Sequence, residues 1–178
     1  PLQEEMEGAL ARLVRRYRAR DVSFHMPDFI RIVINAGDDR DPFGATIGQS
    51  LPNWGPVAEE GRGRTVAMSN LYADPDSQAR RRTVASTLVG AEMMAQLGDG
   101  TDAGLMSTIL HEATHNLGPT SATKIRGKVP GEVFGGGLAS MLEELKAQTG
   151  ALYYVPMLVE KDVISADEAR ETYLDSIV

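Results

Sequence analysis

His111, Glu112 and His115 fall within one five-residue stretch, HEATH, which uses two of the chain's three histidines. Histidines four apart are about one helical turn apart and project from one face, so both imidazoles can reach a single metal ion. Glu112 points roughly 100° around the same helix, which leaves its carboxylate for a water rather than for the metal. That division of roles is metal-assisted hydrolysis: the cation polarises a carbonyl and acidifies a water, and the glutamate takes the proton. The competing reading is two surface histidines beside an ordinary glutamate. Against it stands the helix itself, because Leu105, Met106, Ile109, Leu110, Ala113 and Leu117 make it apolar over much of its circumference. Polar groups in such a setting need partners, and a metal with its water satisfies all three.

There is no cysteine, so the metal must be held by histidine and carboxylate. A catalytic zinc takes three protein ligands and keeps a fourth position for water. His25, the remaining histidine, lies far upstream outside any motif and reads as a surface or core residue. A carboxylate is therefore expected, and its best source is the helix that carries Met141-Leu142-Glu143-Glu144-Leu145-Lys146-Ala147-Gln148. There Gly137, Met141, Glu144, Gln148 and Ala151 share a stripe uncharged apart from Glu144. Glu143 shares its side with Ser140, Lys146 and Ala147, which reads as the more solvated side. Glu144 is thus the preferred ligand and Glu143 a group that supports a ligand from behind. The alternative leaves both in solvent-facing ion pairs with Lys146. Gly135-Gly136-Gly137 either lets the two helices approach closely or forms a flexible linker.

Several elements must position these residues. Met6, Leu10, Leu13, Val14 and Tyr17 set a helical rhythm over residues 3–20, with acids early and arginines late, as the helix dipole favours. Residues 29–34 and 64–68 have strand character, separated by a long loop over 38–63 that is rich in Gly, Pro, Asp and Asn. A long helix is expected over 75–97, broken at Gly98-Asp99-Gly100. The HEATH helix starts near Asp102 and ends at Gly118-Pro119, where glycine can take the left-handed cap and proline cannot continue. A basic, glycine-rich connector over 120–137 leads to a helix over 138–154, with Pro156 after it. Ser165 to Glu168 is a capping-box helix start. The expected class is α+β and mostly helical, one domain of 178 residues. A helix and a small β part with the loop over 38–63 occupy residues 1–70, and a helical metal-binding part occupies 75–178.

The composition excludes several functions. A net charge of -7 and a pI near 5.0 argue against a nucleic-acid groove, and the short cluster Arg80–Arg82 reads as a solvated face. No run approaches the ~18 apolar residues of a membrane span, and no signal peptide is visible. A cytoplasmic location is expected, or a periplasmic one had a leader preceded Pro1. The last helix stops on the apolar Ile177 and Val178, which reads as a chain cut within a larger protein.

HEATHNLGP followed by MLEELKAQTGALYY resembles the metallopeptidase family of dipeptidyl peptidase III, in particular its divergent plant and bacterial branch with the short HExxH spacing. In that family a second helix reads E-E-x-[RK]-A-[ED], and its second glutamate is a zinc ligand. The match at Glu143 to Gln148 implies one zinc ion held by His111, His115 and Glu144, with Glu112 as general base in a gluzincin-like arrangement. Leu51-Pro52-Asn53 followed by Val66 to Asn70 resembles the family's substrate-binding segment. It implies that Asn53 binds the backbone of a short peptide near its N-terminus. The resemblance covers roughly residues 40–160.

Three departures matter. Gln148 stands where the family has an acid that orients a ligand histidine. Ser50 replaces a second substrate-binding asparagine, and no histidine follows Gln148 to match the family's downstream transition-state residue. The implied function is a zinc-dependent exopeptidase-like hydrolase of short peptides, and the implied fold is part of a larger two-lobed enzyme. The alternative is a non-catalytic zinc-binding structural or interaction domain, partnered by the remainder of its own chain.

Overall fold

A computed structural model describes residues 2–14, 17–19, 28–31, 40–41, 44–45, 48–51, 56–59, 64–99, 101–124 and 126–177. Two compact units are present. One comprises Pro1–Pro27, Ser50–Thr65 and Leu110–Tyr154; the other comprises Asp28–Gln49, Val66–Ile109 and Val155–Val178.

Helix α1 (Leu2–Leu13) begins with Glu4 and Glu5 and has Arg12 in its last turn, which suits the dipole. Met6, Ala9 and Leu10, at helical spacing, are its buried residues with Glu7. It is shorter than the expected 3–20. Tyr17 returns to bond Glu7, a pair ten positions apart that a continuous helix would hold about 15 Å apart.

The β residues are few. Strands β1 (Asp28–Ile30), β2 (Arg40–Asp41), β3 (Gly44–Ala45), β4 (Gly48–Leu51) and β5 (Arg64–Met68) are joined by helix α2 (Pro56–Glu59) between β4 and β5. One sheet has the order β1-β5-β4, with β1 and β5 parallel and Asp28 opposite Val66; β2 and β3 form an antiparallel pair. The segment expected to be a loop therefore holds three short strands and a helical turn. The strand expected at 64–68 is present with those bounds.

Helix α3 (Ser69–Tyr72) precedes α4 (Pro75–Leu88), which Asp74 caps by accepting from the Ser77 N–H at 2.8 Å. The single helix expected over 75–97 is two helices, because Val89 is extended and Gly90 starts α5 (Ala91–Gln96). A β-branched residue followed by glycine is a weak place to hold a helix. Helix α6 (Thr101–His115) carries HEATH, and Gly118 beyond it has φ +66°, the left-handed cap expected there.

The connector contains a short helix, α7 (Pro130–Phe134), ended by Gly135 at φ +83°. Helix α8 (Gly136–Glu160) then runs on through Pro156, well past the expected end. Proline removes one donor there, and the burial of Tyr154, Val155 and Leu158 on either side outweighs that loss. Helix α9 (Ala166–Asp175) starts on the expected capping box: Ser165 Oγ accepts from Glu168 N–H at 3.1 Å, and Glu168 accepts from Ser165 N–H at 2.7 Å. Among the described residues no helix is long and apolar enough to cross a membrane. The architecture is α+β and mostly helical.

Candidate metal centre

The unit formed by Pro1–Pro27, Ser50–Thr65 and Leu110–Tyr154 contains the end of α6 and most of α8, packed with little space between them. A Cβ added at Gly150 would lie 2.5 Å from Thr114 Cγ2. Thr114 is fully buried, and its hydroxyl donates to the Leu110 carbonyl at 2.6 Å. Glycine at this point of α8 is what lets the two helices meet. Of the two alternatives for Gly135-Gly136-Gly137, close approach does not apply, since a Cβ at any of the three would meet nothing within 4 Å.

This close crossing brings His111, His115 and Glu144 together. The two Nε2 atoms are 3.1 Å apart, and Glu144 Oε2 lies 3.1 Å from that of His111 and 3.6 Å from that of His115. The imidazoles meet edge to face, with planes 78° apart. Both Nδ1 atoms are engaged from behind. His111 Nδ1 donates to Gln148 Oε1 at 3.0 Å, and His115 Nδ1 donates to Glu143 Oε1 at 3.0 Å. In neutral imidazoles those bonds leave both Nε2 lone pairs aimed at the carboxylate and at each other. Three acceptors converging on one point repel unless a cation or a proton lies between them. Three ligand atoms on a tetrahedral zinc at about 2.0–2.1 Å are about 3.3 Å from one another, close to the separations seen. These three residues form a group that could hold a metal ion.

Burial along α8 differs from the pattern expected of its sequence. The Glu144 side chain is 58% exposed and that of Glu143 only 30%, while Ala147, on Glu143's side, is fully buried. Glu143 is thus the more enclosed of the two. Lys146 is 19% exposed and pairs with Glu143 Oε1 at 2.8 Å, so the pair is not a solvent-facing one. The helix turns its Glu143–Ala147 side towards α6 and offers Glu144 from the rim.

Titration follows these contacts. Burial pushes the Glu112 carboxyl above the usual range and Glu144 adds to the rise, while the two histidines oppose it. Burial opposes a charged His115, but its bond to Glu143 and the charges of Glu144, Glu143 and Glu112 outweigh it and raise the imidazole. Burial also works against the Glu143 carboxylate, yet His115 and Lys146 hold it below the usual range.

A second contact set fixes the end of α6. Glu7, fully buried, accepts from the Gly118 N–H at 2.6 Å and from Tyr17 Oη at 2.5 Å, and Tyr17 also bonds the Gly118 carbonyl at 2.8 Å. A Cβ at Gly118 would come within 3.0 Å of Leu10 Cδ1. The roles of Glu7 and Tyr17 at this turn were not foreseen from the sequence, where the signal was a glutamate between Met6 and Ala9 on the apolar side of a helix. Asn53 and His25 lie outside the described residues.

No protein-family profile matches the chain, and no curated protein does. Among solved structures it is similar to the DPP III of Caldithrix abyssi, with a TM-score of 0.72 over 97% of this chain at 22% identity. The fold is DPP III-like. The match covers 32% of that chain, so this one spans about a third of its length. The DPP III-like fold carries a His-His-Glu group that could hold a metal ion.

Proposed function

We propose that this chain is the zinc-binding catalytic region of a metallopeptidase of the dipeptidyl peptidase III kind, hydrolysing peptide bonds near the N-terminus of short peptides. The observation that carries the reading is the convergence of three lone-pair atoms from His111, His115 and Glu144, at the mutual spacing of ligands on one tetrahedral ion. When bound, zinc supplies Lewis-acid polarisation of the scissile carbonyl and a lowered pKa for a coordinated water.

The chain's own residues supply the rest. Gln148 and Glu143 fix the tautomers of His111 and His115, so each presents a lone pair at Nε2. Glu112, one position along α6 and largely buried, receives a proton and hands it to the leaving amine. Asn53 is proposed to hold the peptide backbone.

The test is zinc content together with hydrolysis of short peptides and dipeptide amides by the chain and by Glu112→Ala. The variant should keep its zinc and lose about 10²–10⁴ in rate; undiminished hydrolysis would remove Glu112 from the mechanism. A second reading, a zinc-binding module without catalysis, is favoured by Gln148 in place of an acid. Stoichiometric zinc without turnover on any of those substrates supports it.

A further inference from the structure

Lys146 lies two positions beyond Glu144, yet it does not behave as a surface lysine. Its Nζ donates to the carbonyl oxygens of Leu117 and Pro119 at 3.0 Å each, lies 3.4 Å from that of His115, and pairs with Glu143 Oε1 at 2.8 Å. The three carbonyls belong to the residues that end α6 and pass through the Gly118 turn. A helix leaves its last four carbonyls without helical partners and carries the negative end of its dipole there. One ammonium therefore closes the C-terminal end of the helix from which His115 hangs. The fourth oxygen belongs to the carboxylate that accepts the His115 Nδ1 proton. Both sets of contacts converge on one imidazole: the backbone that carries it and the acceptor that orients it.

Building on the zinc reading above, we infer that Lys146 is a positioning residue, which fixes His115 by holding the end of α6 and the Glu143 carboxylate with a single ammonium group. A lysine suits this place because its charge is compact and its three donors spread tetrahedrally. The donor side of the same turn is already secured, since Gly118 N–H is held by Glu7. Lys146 supplies the acceptor side. Without it the Leu117 and Pro119 carbonyls lose this donor, and Glu143 keeps its half-buried charge with one cation fewer.

The test uses Lys146→Met, which keeps most of the apolar stem, Glu143→Gln, and the double variant. Zinc affinity is measured by competition with a chelating dye. Cobalt(II) spectra report ligand geometry, and the metal-free proteins are followed by the His115 ring nitrogen resonances and by exchange of the Asn116 and Leu117 amides. Those amides bond the Ala113 and Thr114 carbonyls, so they report the last turn.

Lys146→Met should bind zinc about 10- to 100-fold more weakly, alter the cobalt spectrum, shift the His115 resonances and speed exchange. Its loss and that of Glu143→Gln should combine to less than their product, because both act through one carboxylate. A variant that melts lower but keeps wild-type affinity, resonances and exchange overturns the inference, as do losses that multiply. A parent chain that takes up no zinc, while the His115 resonances still shift in Lys146→Met, overturns the zinc reading and leaves the positioning role standing.

Discussion

Replacing Gly150 with alanine puts a Cβ 2.5 Å from Thr114 Cγ2, where ordinary contacts lie at 3.4–4 Å. About 1 Å of relief is needed. Thr114 cannot swing aside freely, being fully buried with its hydroxyl on the Leu110 carbonyl. The helices must part. Overpacking of this kind costs about 1–3 kcal/mol, against a helix-propensity gain of about 1 kcal/mol for alanine over glycine.

Gly137→Ala, on the same helix with open space around it, gains up to about 1 kcal/mol without the clash. In a chain of this size 1 kcal/mol moves the melting temperature about 2–4 °C. Thermal unfolding should therefore place Gly137→Ala above the parent and Gly150→Ala a few degrees below it. Adding Thr114→Ser, which removes Cγ2, should recover part of the loss. Because α6 carries both histidines and α8 carries Glu144, Gly150→Ala should also weaken zinc binding. A Gly150→Ala protein that melts as high as Gly137→Ala, with unchanged zinc affinity, would refute the close-crossing argument.

Gln148→Glu restores a charged acceptor to His111 Nδ1, now bonded to an amide oxygen at 3.0 Å. A charge-assisted bond is about twice as strong, so zinc affinity should rise severalfold in a dye competition, and a fall would contradict the orienting role. Glu7→Met removes the acceptor that Gly118 N–H and Tyr17 Oη share and leaves the buried Gly118 N–H without it. It should cost about 2–3 kcal/mol in denaturant unfolding; a loss under ~0.5 kcal/mol would mean the carboxylate is not needed there.

The pH response has opposite signs with and without metal. His115 is raised above its usual 6.5, so its stabilisation of the metal-free fold is fully present below that value and is lost as pH rises through the raised one. Glu143 is lowered, so its share is present above the usual carboxylate range and is lost only as pH falls through its depressed value. Zinc needs the neutral imidazole. Melting of the metal-free chain should therefore fall from about pH 6 to about pH 8 while the stabilisation by added zinc grows. A zinc effect that shrinks over that range would contradict the histidine ligation.

Much of the centre was legible in the sequence because its determinants are local. The four-residue spacing of His111 and His115 fixes their common face on any α-helix, and Gly118-Pro119 and Ser165 to Glu168 are terminus signals that act over one turn. The order of burial on α8 was not legible, because it depends on which side α6 packs against. A stripe uncharged apart from Glu144 suggested an enclosed side, whereas the close approach at Gly150 and Thr114 encloses Glu143 and Lys146 instead. The roles of Glu7 and Tyr17 were not foreseen for the same reason, since they act on a turn more than 100 residues away. The break at Val89-Gly90 and the passage of α8 through Pro156 show propensity deciding one helix boundary and burial deciding another.

The most direct test is anomalous diffraction at the zinc absorption edge from crystals of the chain grown with zinc. One peak should lie within about 2.2 Å of His111 Nε2, His115 Nε2 and a Glu144 carboxylate oxygen, with the fourth position open to solvent. A peak held by the two histidines with Glu144 more than about 3 Å away, or no peak between them, would contradict the account.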